Sequence, residues 1–178
     1  RIELMKGIFN IEGKVALVTG STGALGTTFA RGLTQHGATV ILNGRNEAKL
    51  AEKVQEMLDQ GFNAYGFAFD VTQSEEINLA ISRIEKEVGP VDILVNNAGI
   101  TLRAPLEAYK DEDWDKVIGI NLKGPYLVAK AVVQSMIKRK SGKIINIGSV
   151  QNELGRPTIA PYAASKGGLV SLARSVAR

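Results

Sequence analysis

Val15-Ala16-Leu17-Val18-Thr19-Gly20-Ser21-Thr22-Gly23-Ala24-Leu25-Gly26 is the stretch that decides the fold. The apolar run Val15 to Thr19 reads as a strand, glycines follow at once, and a helical pattern begins at Ala24 and continues to His36. A glycine-rich turn between strand and helix lets the main chain approach a ligand closely. The helix N-terminus then presents free N–H groups and the positive end of its dipole to an anion. Placed after the first strand of an alternating chain, such a turn is where the pyrophosphate of a dinucleotide is held.

The alternation is sustained. Strand-like runs recur at Thr39 to Leu42, Ala64 to Phe69, Val91 to Val95 and Lys143 to Ile147. Helical patterns at Glu47 to Gln60, Ser74 to Val88 and Glu112 to Lys138 lie between them, with Gly37, Gly61 and Gly89-Pro90 as stops. Strands and helices in turn build right-handed βαβ crossovers, so the expected fold class is α/β, a Rossmann-like doubly wound parallel sheet with helices on both faces. The runs are continuously apolar, as expected of strands covered on both sides. No repeat, low-complexity tract or linker divides residues 1–178, which are expected to form a single dinucleotide-binding and catalytic domain. A last helix opens near Tyr162, after the loop Gly148 to Pro161, and the sequence stops at Arg178 within its pattern. With no C-terminal glycine there, an incomplete domain lacking its C-terminal elements is expected.

The composition narrows the chemistry. Of 178 residues, 44% are hydrophobic and 22% charged, enough apolar content for one sizeable core. The formal charge of +4 comes from Lys and Arg scattered among Asp and Glu, which speaks against a nucleic-acid face and suits a small anionic molecule. No apolar run reaches the length of a membrane span, and Arg1-Ile2-Glu3-Leu4-Met5-Lys6 has no signal-peptide core. A cytoplasmic protein without a membrane partner is expected, with Met5 as the native start. The absence of cysteine and the single histidine, His36, remove thiol catalysis, cysteine metal sites and histidine clusters. No metal is expected, and chemistry falls to Ser, Tyr, Lys, Asn and carboxylates.

Those residue types gather late in the chain, at Ser149 and in Tyr162-Ala163-Ala164-Ser165-Lys166. On one helix, Tyr162 and Lys166 share a face through their i,i+4 spacing, and the ammonium there favours the phenolate. A tyrosine tuned down from about 10 becomes a usable general acid or base. Asn121 lies among Val117, Ile118, Ile120 and Leu122, and a buried asparagine requires partners. Pro125 has no N–H to offer the Asn121 carbonyl four residues earlier, which predicts a break in the helical ladder and a carbonyl able to bind water.

The order of these motifs, Thr19-Gly20-Ser21-Thr22-Gly23-Ala24-Leu25-Gly26, Asn96-Asn97-Ala98-Gly99, Asn121, and Ser149 with Tyr162 and Lys166, resembles the short-chain dehydrogenases/reductases over essentially the whole chain. The resemblance implies a nicotinamide dinucleotide held by Gly20, Ser21, Thr22, Ala24, Leu25 and Gly26, with Asn97, Ala98 and Gly99 along the adenosine. It implies Asp70 and Val71 at the adenine, although an aspartate opening a turn before a helix is the other reading of Asp70. It also implies Tyr162 as general acid and base, Ser149 on the substrate oxygen, and Lys166 on the nicotinamide ribose. The main chain of Asn121 would then hold a water in a proton relay. Gly44 stands where the family places a ribose-binding acid, and Arg45 follows it. An arginine forms charge-assisted bonds with a phosphate, which favours NADP(H) over NAD(H).

Three segments are similar to a narrower subgroup, the gluconate 5-dehydrogenases. They are Phe9 to Lys14, Ala98 to Pro105, and Ser149-Val150-Gln151-Asn152-Glu153-Leu154-Gly155-Arg156 beside the catalytic serine. That subgroup commonly pairs two arginines after the Asn-Asn-Ala-Gly segment, whereas this chain has Leu102 and Arg103. A sugar acid requires a cation for its carboxylate and polar groups for its hydroxyls, and Arg103, Gln151, Glu153 and Arg156 are the candidates. The similarity implies interconversion of D-gluconate and 5-keto-D-gluconate, and a homo-oligomer, a tetramer in relatives, packed through the long helices. Other sugar-acid or polyol dehydrogenases, a 3-ketoacyl-carrier-protein reductase and a non-catalytic dinucleotide-binding protein of the same fold are the alternatives.

Overall fold

The computed structural model describes residues 10–177, so the stretch around Met5 and Phe9 lies outside the described residues. Five parallel strands, β1 (Val15–Val18), β2 (Thr39–Gly44), β3 (Ala64–Ala68), β4 (Ile93–Asn96) and β5 (Lys143–Asn146), lie in the order β3-β2-β1-β4-β5. Successive crossovers carry α1 (Ala24–Gln35), α2 (Glu47–Asp59) and α3 (Ser74–Glu87), and α5 (Gly124–Arg139) leads into β5. This is the Rossmann-like α/β sheet that the alternation predicts. The order reverses between β1 and β4, which opens a crevice at the carboxyl ends of those two strands.

Alternation of side chains sorts the apolar residues into two cores. Leu17, Ile41 and Leu94 point to one face and pack with Ile77, Ile81 and Ile84 of α3 and with Val128 and Val132 of α5. Ala16, Val18, Val40, Leu42 and Val95 point to the other, against Ala30 of α1 and Leu50 and Met57 of α2. Double coverage holds for β1, β2 and β4, but β3 exposes Tyr65, Gly66 and Ala68, and β5 exposes Lys143 and Ile145. Those two strands are the edges of the described sheet, where a helix layer covers one face better than the other. An apolar run therefore reads alike in centre and edge, and Ile145 of β5 is 45% exposed.

The helix stops fall close to their expected places. Gly37 and Gly61 take φ of +97° and +78° just past α1 and α2, a region open to glycine at no steric cost. The single helix expected over Glu112 to Lys138 is instead α4 (Asp111–Ile118), a π-helical turn (Gly119–Lys123) and α5. The Gly124 N–H bonds back to the Gly119 carbonyl, five residues earlier, and this wider turn accommodates the donor that Pro125 lacks. The last helix, α6 (Ala160–Val176), begins two residues before Tyr162. Among the described residues, no helix is long and apolar enough to cross a membrane, and no cluster of three His, Cys, Asp or Glu is placed to hold a metal ion.

Candidate active site

The turn after β1 is shaped by contact with the loop after β4. Gly20 has φ +63°, and a Cβ there would lie 2.8 Å from the Ala98 Cα. Thr19 ties the two loops together: its Oγ1 donates to the Val95 carbonyl at 3.4 Å and accepts from the N–H groups of Asn97 at 3.0 Å and Ala98 at 3.1 Å. The Asn97 amide donates back to the Thr19 carbonyl at 2.9 Å and the Gly20 carbonyl at 3.2 Å. Gly23 caps α1 with no side-chain acceptor, and no acidic residue stands in the first turn. The first amides of α1 thus border a cavity of about 490 Å³, with no acidic side chain in the first turn of the helix to compete for them.

Gly20, Thr22, Ala24, Leu25, Gly26, Arg45, Asp70, Val71, Asn97, Ala98 and Gly99 all line this cavity. Ser21 does not. It is fully buried behind the turn, where its Oγ donates to the Asn43 carbonyl at 3.2 Å and accepts from the Asn43 N–H at 2.8 Å. A hydroxyl next to a cavity-lining glycine invites a ligand role, but here the strand end takes it. Asn43 is the residue that sequence reasoning missed. Its Oδ1 accepts from the Gly20 N–H at 3.2 Å, while its Nδ2 donates to the carbonyls of Phe67 and Phe69, bracing the turn, β2 and β3 together. The signal was an asparagine inside an otherwise apolar strand.

Across the cavity mouth, Arg45 Nη1 and Asp70 Oδ2 are 3.5 Å apart. Asp70 Oδ1 accepts from both the N–H and the hydroxyl of Thr72 at 2.8 Å, so the aspartate opens a turn and lines the cavity at once. Burial works to raise its pKa, but the bonds from Thr72 and the charge of Arg45 outweigh that, and the carboxyl is held below its ordinary value.

Beyond the cavity, the π-helical turn aims Asn121 at two other segments. Its Oδ1 accepts from the Ile100 N–H at 2.8 Å, and its Nδ2 donates to the Ile100 carbonyl at 2.9 Å and to Ser165 Oγ at 3.2 Å. Ser165 in turn donates to the Tyr162 carbonyl at 2.7 Å. The side chain of Asn121, fully buried, therefore clamps the loop after β4 to the first turns of α6. Asn121→Ala leaves those groups unpaired, and the expected cost is about 3 kcal/mol, from ~1–3 kcal/mol per stranded buried group. Urea denaturation measures it, and a loss below about 1 kcal/mol would show that water replaces the clamp.

On α6, Lys166 is buried, with Nζ 5.7 Å from the centre of the Tyr162 ring. Its ammonium donates to the Ile147 carbonyl at 2.5 Å, two residues before Ser149, and burial pushes its pKa below the ordinary lysine value. Ser149 opens a 3₁₀ turn, Val150–Asn152, its Oγ accepting from the Gln151 N–H at 3.2 Å. Tyr162, Lys166 and Ser149 stand outside the cavity wall formed by the glycine turn. Of the four polar loop residues, Gln151 is half-buried with a solvent-excluded Oε1 that has no partner, whereas Arg103, Glu153 and Arg156 are exposed. The loops carrying Arg103 and Arg156 are tied by one main-chain bond, from the Ala104 N–H to the Thr158 carbonyl at 3.1 Å.

The short chain dehydrogenase family model matches residues 14–178. The chain belongs to that family.

Among curated short chain dehydrogenases, it is 46% identical over 171 residues to 2-dehydro-3-deoxy-D-gluconate 5-dehydrogenase of Formosa agariphila, covering 96% of this chain and 65% of that protein. It is 42% identical over 172 residues to 5-keto-D-gluconate 5-reductase of Escherichia coli, covering 97% of this chain and 68% of that protein. A crystal structure of a gluconate 5-dehydrogenase from Burkholderia cenocepacia, in complex with NADP and tartrate, superposes with a TM-score of 0.91 at 49% identity. That match covers 94% of this chain and 66% of the other. The chain thus spans about two thirds of the length of the short chain dehydrogenases it matches.

Proposed function

We propose that the protein is an NADP(H)-dependent oxidoreductase that interconverts a secondary alcohol and a ketone, with D-gluconate and 5-keto-D-gluconate as the substrate pair. The observation that carries this reading is the placement of Lys166. A buried ammonium lies one helical turn from Tyr162 and is bonded to the main chain just before Ser149. A phenol, an ammonium and a hydroxyl at the end of β5 are the groups a carbonyl reduction needs.

The residues present suit a dinucleotide, because side chains at Gly20 and Gly26 would collide with Ala98, Asn97 and the turn itself, so glycine at both positions keeps the turn tight beneath the cavity. When bound, that cofactor supplies or takes up the hydride. The amides at the start of α1 would hold the phosphates, and Asp70 and Val71 would border the adenine end. Arg45 uses only Nη1 toward Asp70, which leaves the rest of its fork for a 2′-phosphate.

In reduction, Ser149 donates a hydrogen bond to the substrate oxygen, and Tyr162 gives that oxygen its proton as the carbon–oxygen double bond becomes single. Lys166, its ammonium made easier to deprotonate by burial, passes a proton on toward the phenolate. Water at the main chain of Asn121 restores it. Oxidation runs the same steps in reverse. Gln151, beside Ser149, suits a substrate hydroxyl once its side chain turns outward, and the exposed Arg103 and Arg156 suit a carboxylate. The names of the Formosa, Escherichia and Burkholderia relatives support a gluconate-type substrate.

The test is a panel of 5-keto-D-gluconate, 2-dehydro-3-deoxy-D-gluconate and an acetoacetyl thioester, each assayed with NADPH and NADH. The expected result is the highest kcat/KM for 5-keto-D-gluconate with NADPH. A preference for the thioester would overturn the substrate class while leaving the reaction type intact.

A further inference from the structure

We infer that Thr22 governs the choice of dinucleotide by occupying the space that any side chain at position 44 would need. The inference rests on the NADP(H) reading above and deepens it. Gly44 ends β2, is buried, and lines the cavity beside Arg45. An acidic side chain at this strand end accepts bonds from the ribose hydroxyls and repels a 2′-phosphate. Here a Cβ on residue 44 would lie 2.7 Å from Thr22 Cγ2 and 3.0 Å from Thr22 Oγ1, with Thr22 Cβ itself at 3.5 Å, an ordinary contact. The conflict is therefore with the two branches of the threonine.

Rotation does not relieve it. A threonine carries two heavy atoms on Cβ and has three staggered positions, two of which face Gly44. Every staggered rotamer leaves at least one heavy atom in the way. Withdrawal of the main chain is opposed as well, because the glycine turn and the end of β2 are stitched together. The Ser21 N–H donates to the Asn43 carbonyl at 2.9 Å, the Asn43 N–H donates to Ser21 Oγ at 2.8 Å, and the Gly20 N–H donates to Asn43 Oδ1 at 3.2 Å. Separating Thr22 from Gly44 would break these buried bonds. With position 44 closed, recognition at the ribose edge falls to Arg45 and to the hydroxyl of Thr22, both donors suited to a phosphate. Conversion to NAD(H) use thus requires a smaller residue at 22 before an acid at 44 can act.

The test measures binding of NADP+ and NAD+ by isothermal titration calorimetry, together with Tm, for the intact protein and its Thr22→Ala, Gly44→Asp and Thr22→Ala/Gly44→Asp variants. Gly44→Asp alone is expected to lose NADP+ with no gain in NAD+ affinity beyond about twofold, and the double variant to bind NAD+ about tenfold more tightly than Gly44→Asp, as coupled neighbours do. A full gain of NAD+ affinity in Gly44→Asp with Thr22 intact would overturn the inference. The pair Gly44→Ala and Thr22→Ala/Gly44→Ala covers the case in which the aspartate variants do not fold. A Tm loss in the first that is restored in the second supports the gate, and equal losses in both overturn it. Binding of neither dinucleotide by the unaltered protein would sink the cofactor reading, while the alanine pair still decides the packing of Thr22 on Gly44.

Discussion

Tyr162→Phe is expected to lower kcat by about a thousandfold, within the ~10²–10⁴ that positioned proton transfer contributes, and to leave the Kd for NADP+ nearly unchanged. The change removes one oxygen and keeps the ring. The helix is undisturbed: the Tyr162 carbonyl still accepts from Ser165 Oγ, and Lys166 Nζ still bonds the Ile147 carbonyl. A loss in kcat without loss of binding is the mark of an interaction made only in the reaction itself. Steady-state kinetics and cofactor titration on the same preparation separate the two. Near-normal turnover would rule out Tyr162 as the acid and base, and parallel losses of turnover and binding would indicate a positioning role.

Gly26→Ala tests the other half of the site. On an open helix surface, alanine for glycine stabilises by about 1 kcal/mol through helix propensity. At position 26 the added methyl would lie 2.6 Å from Ser21 Cα, 2.7 Å from the Gly20 carbonyl oxygen and 2.7 Å from Asn97 Nδ2. Two of those atoms are main chain in the glycine turn, so relief requires the turn itself to deform. Overpacking of this kind costs ~1–3 kcal/mol, and displacing the Asn97 amide strands two carbonyls at roughly 1 kcal/mol or more each, so the clash outweighs propensity. The expected result is a net loss of about 2–3 kcal/mol in urea denaturation and abolished NADP+ binding. Gly32→Ala is the control on the same helix, since nothing lies within 4 Å of its added methyl. It is expected to stabilise by up to about 1 kcal/mol. If Gly26→Ala behaved like Gly32→Ala, the turn would not be the tight cradle described.

Much of this molecule is legible in its residues because the signals are local. The short apolar runs and the helical spacings recovered all five strands and placed α1, α2 and α3 within a residue of their ends. Pro125 foretold a disturbed helix, since a missing N–H is a property of one residue, but it did not say that the turn would widen into a π-helix over Gly119–Lys123. Asn121 was singled out for needing partners, and the partners were not legible. Ile100 and Ser165 stand 21 and 44 residues away from it. Ser21 and Asn43 show the limit from the other side. Each looked ordinary in its own segment, a ligand hydroxyl and a strand residue, and together they form the brace behind the turn.

Residue chemistry and periodicity alone established the parallel α/β order and the glycine turn, and the family resemblance singled out Ser149, Tyr162 and Lys166 as the candidates for proton transfer, because each motif is written in neighbouring positions. Which face of the turn is wall and which is brace, what the Asn121 amide clamps, and the closure of position 44 by Thr22 were decided only by the packed fold. Those are statements about distances of a few ångströms between separate segments, and steric exclusion acts between atoms brought together in space, not between letters at a given spacing.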